Sequence, residues 1–189
     1  MTVTYNSPVI LTFSIIIVLI HFLNVILFPG LTYTLFTIKP QMSIFHVGDY
    51  FRLVSHVFGH GSWEHLFNNV TYLLLLGPIL EEKYGSYAMV TMMLITALSA
   101  GIINVLLFST GLMGASSIVF MLIILISIVD IKEGTIPVTF LLVATIFSGR
   151  EFINALYDDS ISQAAHIVGG SLGAFFGFYW KKGVKSITQ

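Results

Sequence analysis

Two polar side chains stand out for what they could do together. Ser116 lies in the run Gly114-Ala115-Ser116-Ser117, where a loop enters an apolar helix, and His166 lies near the start of another apolar helix. A serine hydroxyl is a weak nucleophile until a neighbouring imidazole takes its proton. That pairing does acyl transfer, with the serine attacking a carbonyl and His166 serving as general base. Both groups are costly to hold at membrane depth, where polar residues are read as functional by default. Gly114 and Ala115 leave the backbone accessible, and the start of a helix offers unpaired N–H groups at a positive dipole end. A developing oxyanion is stabilised in such a place. The plainer reading stays open: serine serves helix packing in membranes, and a single histidine can be a proton relay or a packed polar group.

The helix carrying His166 also carries Ala165, Gly169, Gly173 and Gly177 at four-residue intervals. Such a stripe lets a neighbouring backbone approach closely, which would press the histidine ring against a partner helix. Packing alone explains the glycines but not the histidine. A third group of polar residues runs from His56 and His60 to His65 and Asn69. His65 and Asn69 are spaced i, i+4 and share one helix face; both can donate hydrogen bonds and together could complete an oxyanion pocket. Clustered histidines also suggest a metal, but the H-E-x-x-H spacing of membrane metalloproteases is missing, and neither metal nor cofactor is expected. Aspartyl chemistry needs two facing intramembrane carboxylates, and Asp49, Asp130, Asp158 and Asp159 fall in loops or at a span end.

The elements that must position these residues follow from composition. The chain has 189 residues, 56% hydrophobic and 9% charged, with mean hydropathy +0.94. Soluble domains are about 25% charged, so the chain reads as a single polytopic membrane domain over 1–189. A net charge of −1 gives no reason to expect nucleic acid, and the absence of cysteine excludes disulfides and a thiolate nucleophile. A spanning helix needs about 20 mostly apolar residues. Six segments qualify or come close: 8–28, 65–80, 87–108, 116–129, 136–153 and 161–180. The first is too long for a signal-peptide core and lacks a basic flank, so a retained helix is expected. The fourth is short, which would start it below the membrane surface and place Ser116 inside the hydrocarbon boundary. Residues 29–64 form a long aromatic loop expected to lie in the membrane interface. His21 and Asn24 in the first segment are expected to be packing or hydrogen-bonding groups. Lys181, Lys182 and Lys185 should stay cytoplasmic; six spans then put both termini inside, and Ser116 and His166 near the outer face.

These residues resemble the rhomboid family of intramembrane serine proteases, in its minimal six-span bacterial form, over about residues 50–177. Phe51-Arg52 with His56 is similar to the family's aromatic–Arg motif of the first loop. His60, His65 and Asn69 match its H-x4-H-x3-N pattern, and Glu81-Glu82-Lys83-Tyr84-Gly85-Ser86 is similar to its E-x-x-x-G-S. Gly114-Ala115-Ser116-Ser117 matches G-x-S-G except at the last position, and Ala165-His166 with Gly169 and Gly173 matches A-H-x-x-G-x-x-x-G. The resemblance implies an all-α, six-transmembrane-helix bundle with a long interfacial first loop, its core at about 45–181. It implies a Ser116–His166 dyad, an oxyanion pocket of the Ser116 N–H, His65 and Asn69, and a water and substrate cavity near His56, His60 and Phe120. Phe120 stands where a tyrosine often supports the histidine ring. The implied substrates are transmembrane segments of membrane proteins, cut near the outer face of a cell membrane, with the helix at 136–153 as a lateral gate. A client-binding protein of the same fold that does not cut is the alternative. Glu81 and Glu82 are expected to cap the inner end of the second span, paired with Lys83 or Arg52, or to form a solvated cluster.

Overall fold

The computed structural model describes residues 5–108, 110–129, 136–157 and 161–180. Asp130, Asp158, Asp159, Lys181, Lys182 and Lys185, which carried the orientation argument and part of the aspartyl one, lie outside the described residues. The chain is all-helical among those described: α1 (Pro8–Ile26), α2 (Leu31–Leu35), α3 (Val47–Ser55), a 3₁₀ turn (His56–Phe58), α4 (Trp63–Tyr84), α5 (Ser86–Leu107), α6 (Ser116–Ser127), α7 (Val138–Tyr157) and α8 (Ile161–Tyr179). Each of the six apolar segments is thus a helix. By length and apolarity, α1 and α5 are the two described helices that meet the requirement for crossing a membrane, and α6 is a shorter apolar helix. Their outward faces carry Ile15, Leu19, Phe22, Leu94, Leu98 and Ile102, all exposed. Water does not tolerate an apolar surface of that extent, and the protein is a membrane protein.

α6 is the centre of the bundle. Ser117, Ile118, Val119, Met121, Leu122, Ile123, Ile124 and Leu125 are all buried, as expected of a helix that is apolar on every side. It packs most extensively on α8 and also touches α4, α5 and α7. Twelve residues make a helix of about 18 Å, well short of the roughly 30 Å hydrocarbon thickness.

Local chemistry sets where the helices begin. Pro8 opens α1, a position where its missing N–H costs nothing. The N–H groups of Val9 and Ile10, which have no partner within the helix, donate to the Glu81 carboxylate at 3.0 Å each, and Ser86 Oγ donates to it at 2.7 Å. Glu81 is therefore buried against α1. It caps that helix instead of its own and is no solvated cluster. Arg52, one expected partner, is engaged elsewhere. Ser62 caps α4 by accepting the His65 N–H at 3.1 Å. Gly85, at φ 86°, makes the sharp turn between α4 and α5.

The first loop is more ordered than a strip of interfacial coil. It folds into α2, α3 and the 3₁₀ turn around Arg52, whose Nε and Nη2 donate to the Thr34 carbonyl at 2.9 and 2.7 Å, while Nη1 pairs with Asp49 at 2.6 Å. The Ser43 N–H, then nearby His46 and Arg52, hold the Asp49 carboxyl below its ordinary range. Phe45, Val47 and Phe51 point outward, which suits a segment lying in the interface. Paired hydrogen bonds between Ile38 and Leu112, at 2.9 and 3.2 Å, tie this loop to the segment leading into α6.

Candidate active site

Ser116 is the first residue of α6 and is half-buried, so its N–H sits among the unpaired donors of a helix start. The preceding turn is held from two sides. Gly114, at φ 119°, donates its N–H to the His56 carbonyl at 2.9 Å. A side chain there would meet the His65 ring, 2.5 Å from Cε1 and 2.7 Å from Nε2. Gly114 is thus required twice, for its left-handed backbone and for the approach of His65.

α8 lies against α6 in parallel register. A Cβ at Gly169 would overlap the Ser117 carbonyl oxygen, and one at Gly173 would overlap the Met121 carbonyl oxygen. Four residues along one helix therefore correspond to four along the other, and the glycine stripe faces the α6 backbone. His166 precedes Gly169 by one turn, which carries it toward the start of α6. Its ring stacks face to face on Phe120, with centroids 4.0 Å apart and planes inclined by 4°. Phe120 lies one turn after Ser116, and helical side chains lean back toward the N-terminus, so the stacked pair rises toward the serine's turn.

The remaining polar residues form a connected group on the other side of that turn. Asn69 is buried, and its Nδ2 donates to His60 Nε2 at 3.0 Å. The His60 and His65 rings meet edge to face at 5.0 Å, and His65 is near enough to His166 to interact with it electrostatically. His56 is fully buried; its Nε2 donates to the Ala97 carbonyl at 3.1 Å. Both ends of His56 thus brace structure, the ring against α5 and the carbonyl against Gly114. Burial pushes the His56 imidazole down to about 4 and the His60 imidazole down to about 3, the latter helped by neighbouring His65 and His21. Both are neutral at ordinary pH.

Of the residues singled out in the sequence, His56 and His65 meet the Gly114 turn before α6, His60 and Asn69 adjoin His65, and His166 stacks on Phe120 one turn after Ser116. Two further participants were not singled out for the site. His21 of α1 donates from Nδ1 to the His60 carbonyl at 3.1 Å, and Trp63 packs against the His21 ring. His21 was expected to be a packing or hydrogen-bonding group, and it is one; nothing in its spacing pointed to His60, 39 residues away. Asn24 is a hydrogen-bonding group too, accepting the Thr32 N–H that opens α2.

A buried central helix with a serine at its first position, a glycine-faced partner helix and a ring of histidines define a helical membrane protein built around an internal polar site. The family model for the Rhomboid domain matches residues 47–183, and the chain belongs to the rhomboid family. It is 29% identical over 142 residues to the rhomboid-related protein 1 of Caenorhabditis elegans, covering 69% of this chain. The match spans 40% of that relative's length.

Proposed function

We propose that this protein is an intramembrane serine endopeptidase that cleaves transmembrane segments of other membrane proteins. Ser116 is the nucleophile and His166 its general base. The oxyanion is held by the Ser116 N–H with the side chains of His65 and Asn69. The dyad has no carboxylate third member, a variation on the usual triad. The observation that carries this reading is the parallel packing of α8 on α6, with Gly169 against the Ser117 backbone and the His166 ring flat on Phe120. A His166 ring held on Phe120, one turn after Ser116, supports pairing the imidazole with that hydroxyl.

Hydrolysis in a bilayer needs water, and polar surface at that depth is tolerated where it lines a protein-walled cavity. His60, His65, Asn69, Ser116 and His166 supply such a surface. A substrate helix hides its carbonyls in its own hydrogen bonds, so segments with glycine, proline or small residues near the outer boundary are the preferred substrates. The helices α1, α4, α5, α6, α7 and α8 are taken as six spans in a cell membrane, with both termini cytoplasmic and the site near the outer face.

The test is cleavage of a reporter transmembrane substrate in liposomes by wild type, Ser116→Ala and His166→Ala. Abolition by both changes, with no effect of metal chelators, supports the reading. Cleavage surviving in folded Ser116→Ala protein refutes it.

A further inference from the structure

We propose that His21 on α1, outside the segment matched by the family model, is a positioning residue for the Asn69 side of the site. The inference rests on the protease reading for its catalytic consequence, though not for its structural one. His21 is 2% exposed. The carbonyl of His60 can only accept, so His21 Nδ1 carries the proton of the 3.1 Å hydrogen bond. Its ring stands edge-on to Trp63, with centroids 4.5 Å apart at 85°, and Trp63 stacks on Phe67 at 5.6 Å. One side chain of α1 thereby touches both the residue before α4 that bonds Asn69 and the first turn of α4 itself.

His60 needs an outside anchor because it sits between Gly59 and Gly61. Glycine on both sides adds no side-chain restraint to its backbone, and the His21 bond holds its carbonyl. The His60 side chain then fixes Asn69. An amide nitrogen only donates, so His60 Nε2 accepts one of the two Asn69 Nδ2 hydrogens at 3.0 Å. The second hydrogen remains for an oxygen in the site. The order of control runs from His21 to the His60 carbonyl, to the His60 ring, to the Asn69 amide.

Packing alone does not account for His21. Its Nε2 is buried with no hydrogen-bond partner, a cost that phenylalanine or leucine at the same place would avoid. The Nδ1 bond to His60 is what the histidine supplies in return.

The test uses the full-length protein in detergent micelles, with His21→Phe and His21→Asn. Phenylalanine keeps the ring against Trp63 and removes the donor; asparagine returns a donor close to the Nδ1 position. The side-chain amide ¹⁵N–¹H signals of Asn69, assigned by their loss in Asn69→Ala, are expected to shift in His21→Phe and to return in His21→Asn. With a reporter substrate, kcat in His21→Phe should fall about tenfold at unchanged KM, a part of the 10²–10³ that a missing oxyanion donor costs. His21→Asn should recover most of it. Unmoved Asn69 signals in folded His21→Phe overturn the proposal, as does a loss of kcat that merely follows loss of folded protein. Shifted Asn69 signals in a protein whose wild type cuts nothing sustain the positioning role and sink the protease reading instead, so the two failures are distinct.

Discussion

Gly169→Ala is the sharpest perturbation of the α6–α8 contact. The added methyl would overlap the Ser117 carbonyl oxygen and lie 2.9 Å from its carbon and 3.1 Å from its Cα. The obstacle is backbone on both helices, with no flexible side chain to swing aside. Restoring ordinary contact requires α8 to move off α6 by roughly 1 Å, and inserting a methylene into a packed interior costs about 1–3 kcal/mol. The same movement carries His166, one turn away, from its 4.0 Å stacking on Phe120. A displacement of about 1 Å at a reacting pair costs on the order of 10²-fold in rate. Gly170→Ala is the matched control, since its Cβ would meet only Ile124 Cγ1 at 3.5 Å, an ordinary contact. Replacing a helical glycine by alanine there should stabilise by about 0.5–1 kcal/mol. Adjacent residues bearing the same substitution should therefore change stability with opposite sign. The assay is thermal unfolding in detergent together with kcat on a reporter substrate. Gly169→Ala protein with wild-type Tm and kcat within about threefold of wild type would refute the claim that this close approach positions His166.

Two other expectations concern the imidazoles. Phe120→Leu removes the aromatic face under His166 and should lower kcat about two- to tenfold, from the roughly 0.5–1.5 kcal/mol that an aromatic pair contributes; Phe120→Tyr keeps the face and should stay near wild type, and equal rates for Leu and wild type would dismiss the stacking. The His56 imidazole is held down to about 4 in the fold against about 6.5 when unfolded. Between those values the unfolded chain binds more protons, so stability rises with pH. The contribution is complete above about pH 6.5 and is lost progressively toward pH 4, reaching about 3 kcal/mol at 1.36 kcal/mol per pH unit. Unfolding followed from pH 7 to pH 5 should show Tm falling, less so in His56→Gln; a flat Tm in wild type would contradict the burial argument.

Much of this arrangement was legible because it is written in local spacing. The stripe of Gly169, Gly173 and Gly177 declares a close helix contact, and the i, i+4 pair of His65 and Asn69 declares a shared face. The short apolar run after Gly114 declares a short helix, and α6 is one, from Ser116 to Ser127. What the sequence did not declare are pairings between distant segments. Glu81 caps α1 across 71 residues, and His21 meets His60 across 39. Neither partner carries a periodic mark, because a capped N–H and a bonded carbonyl are backbone groups that every residue possesses. The internal order of the first loop was hidden for the same reason: Arg52 organises it largely through the carbonyl of Thr34.

The departure at Ser117 shows how such a site absorbs a change in its motif. Its hydroxyl is buried with no hydrogen-bond partner, which costs about 1–3 kcal/mol. Glycine there would avoid that cost but lose about 0.5–1 kcal/mol of helix stability relative to a residue with a side chain. The two effects partly offset, leaving glycine favoured by about 0–2.5 kcal/mol. The serine does not obstruct α8, because Gly169 meets the carbonyl oxygen, carbon and Cα of Ser117, atoms that any residue supplies. The contact demands glycine on the α8 side and only backbone on the α6 side. That asymmetry explains why α8 needs glycine at Gly169 and Gly173, while Ser117 fits at the position after Ser116.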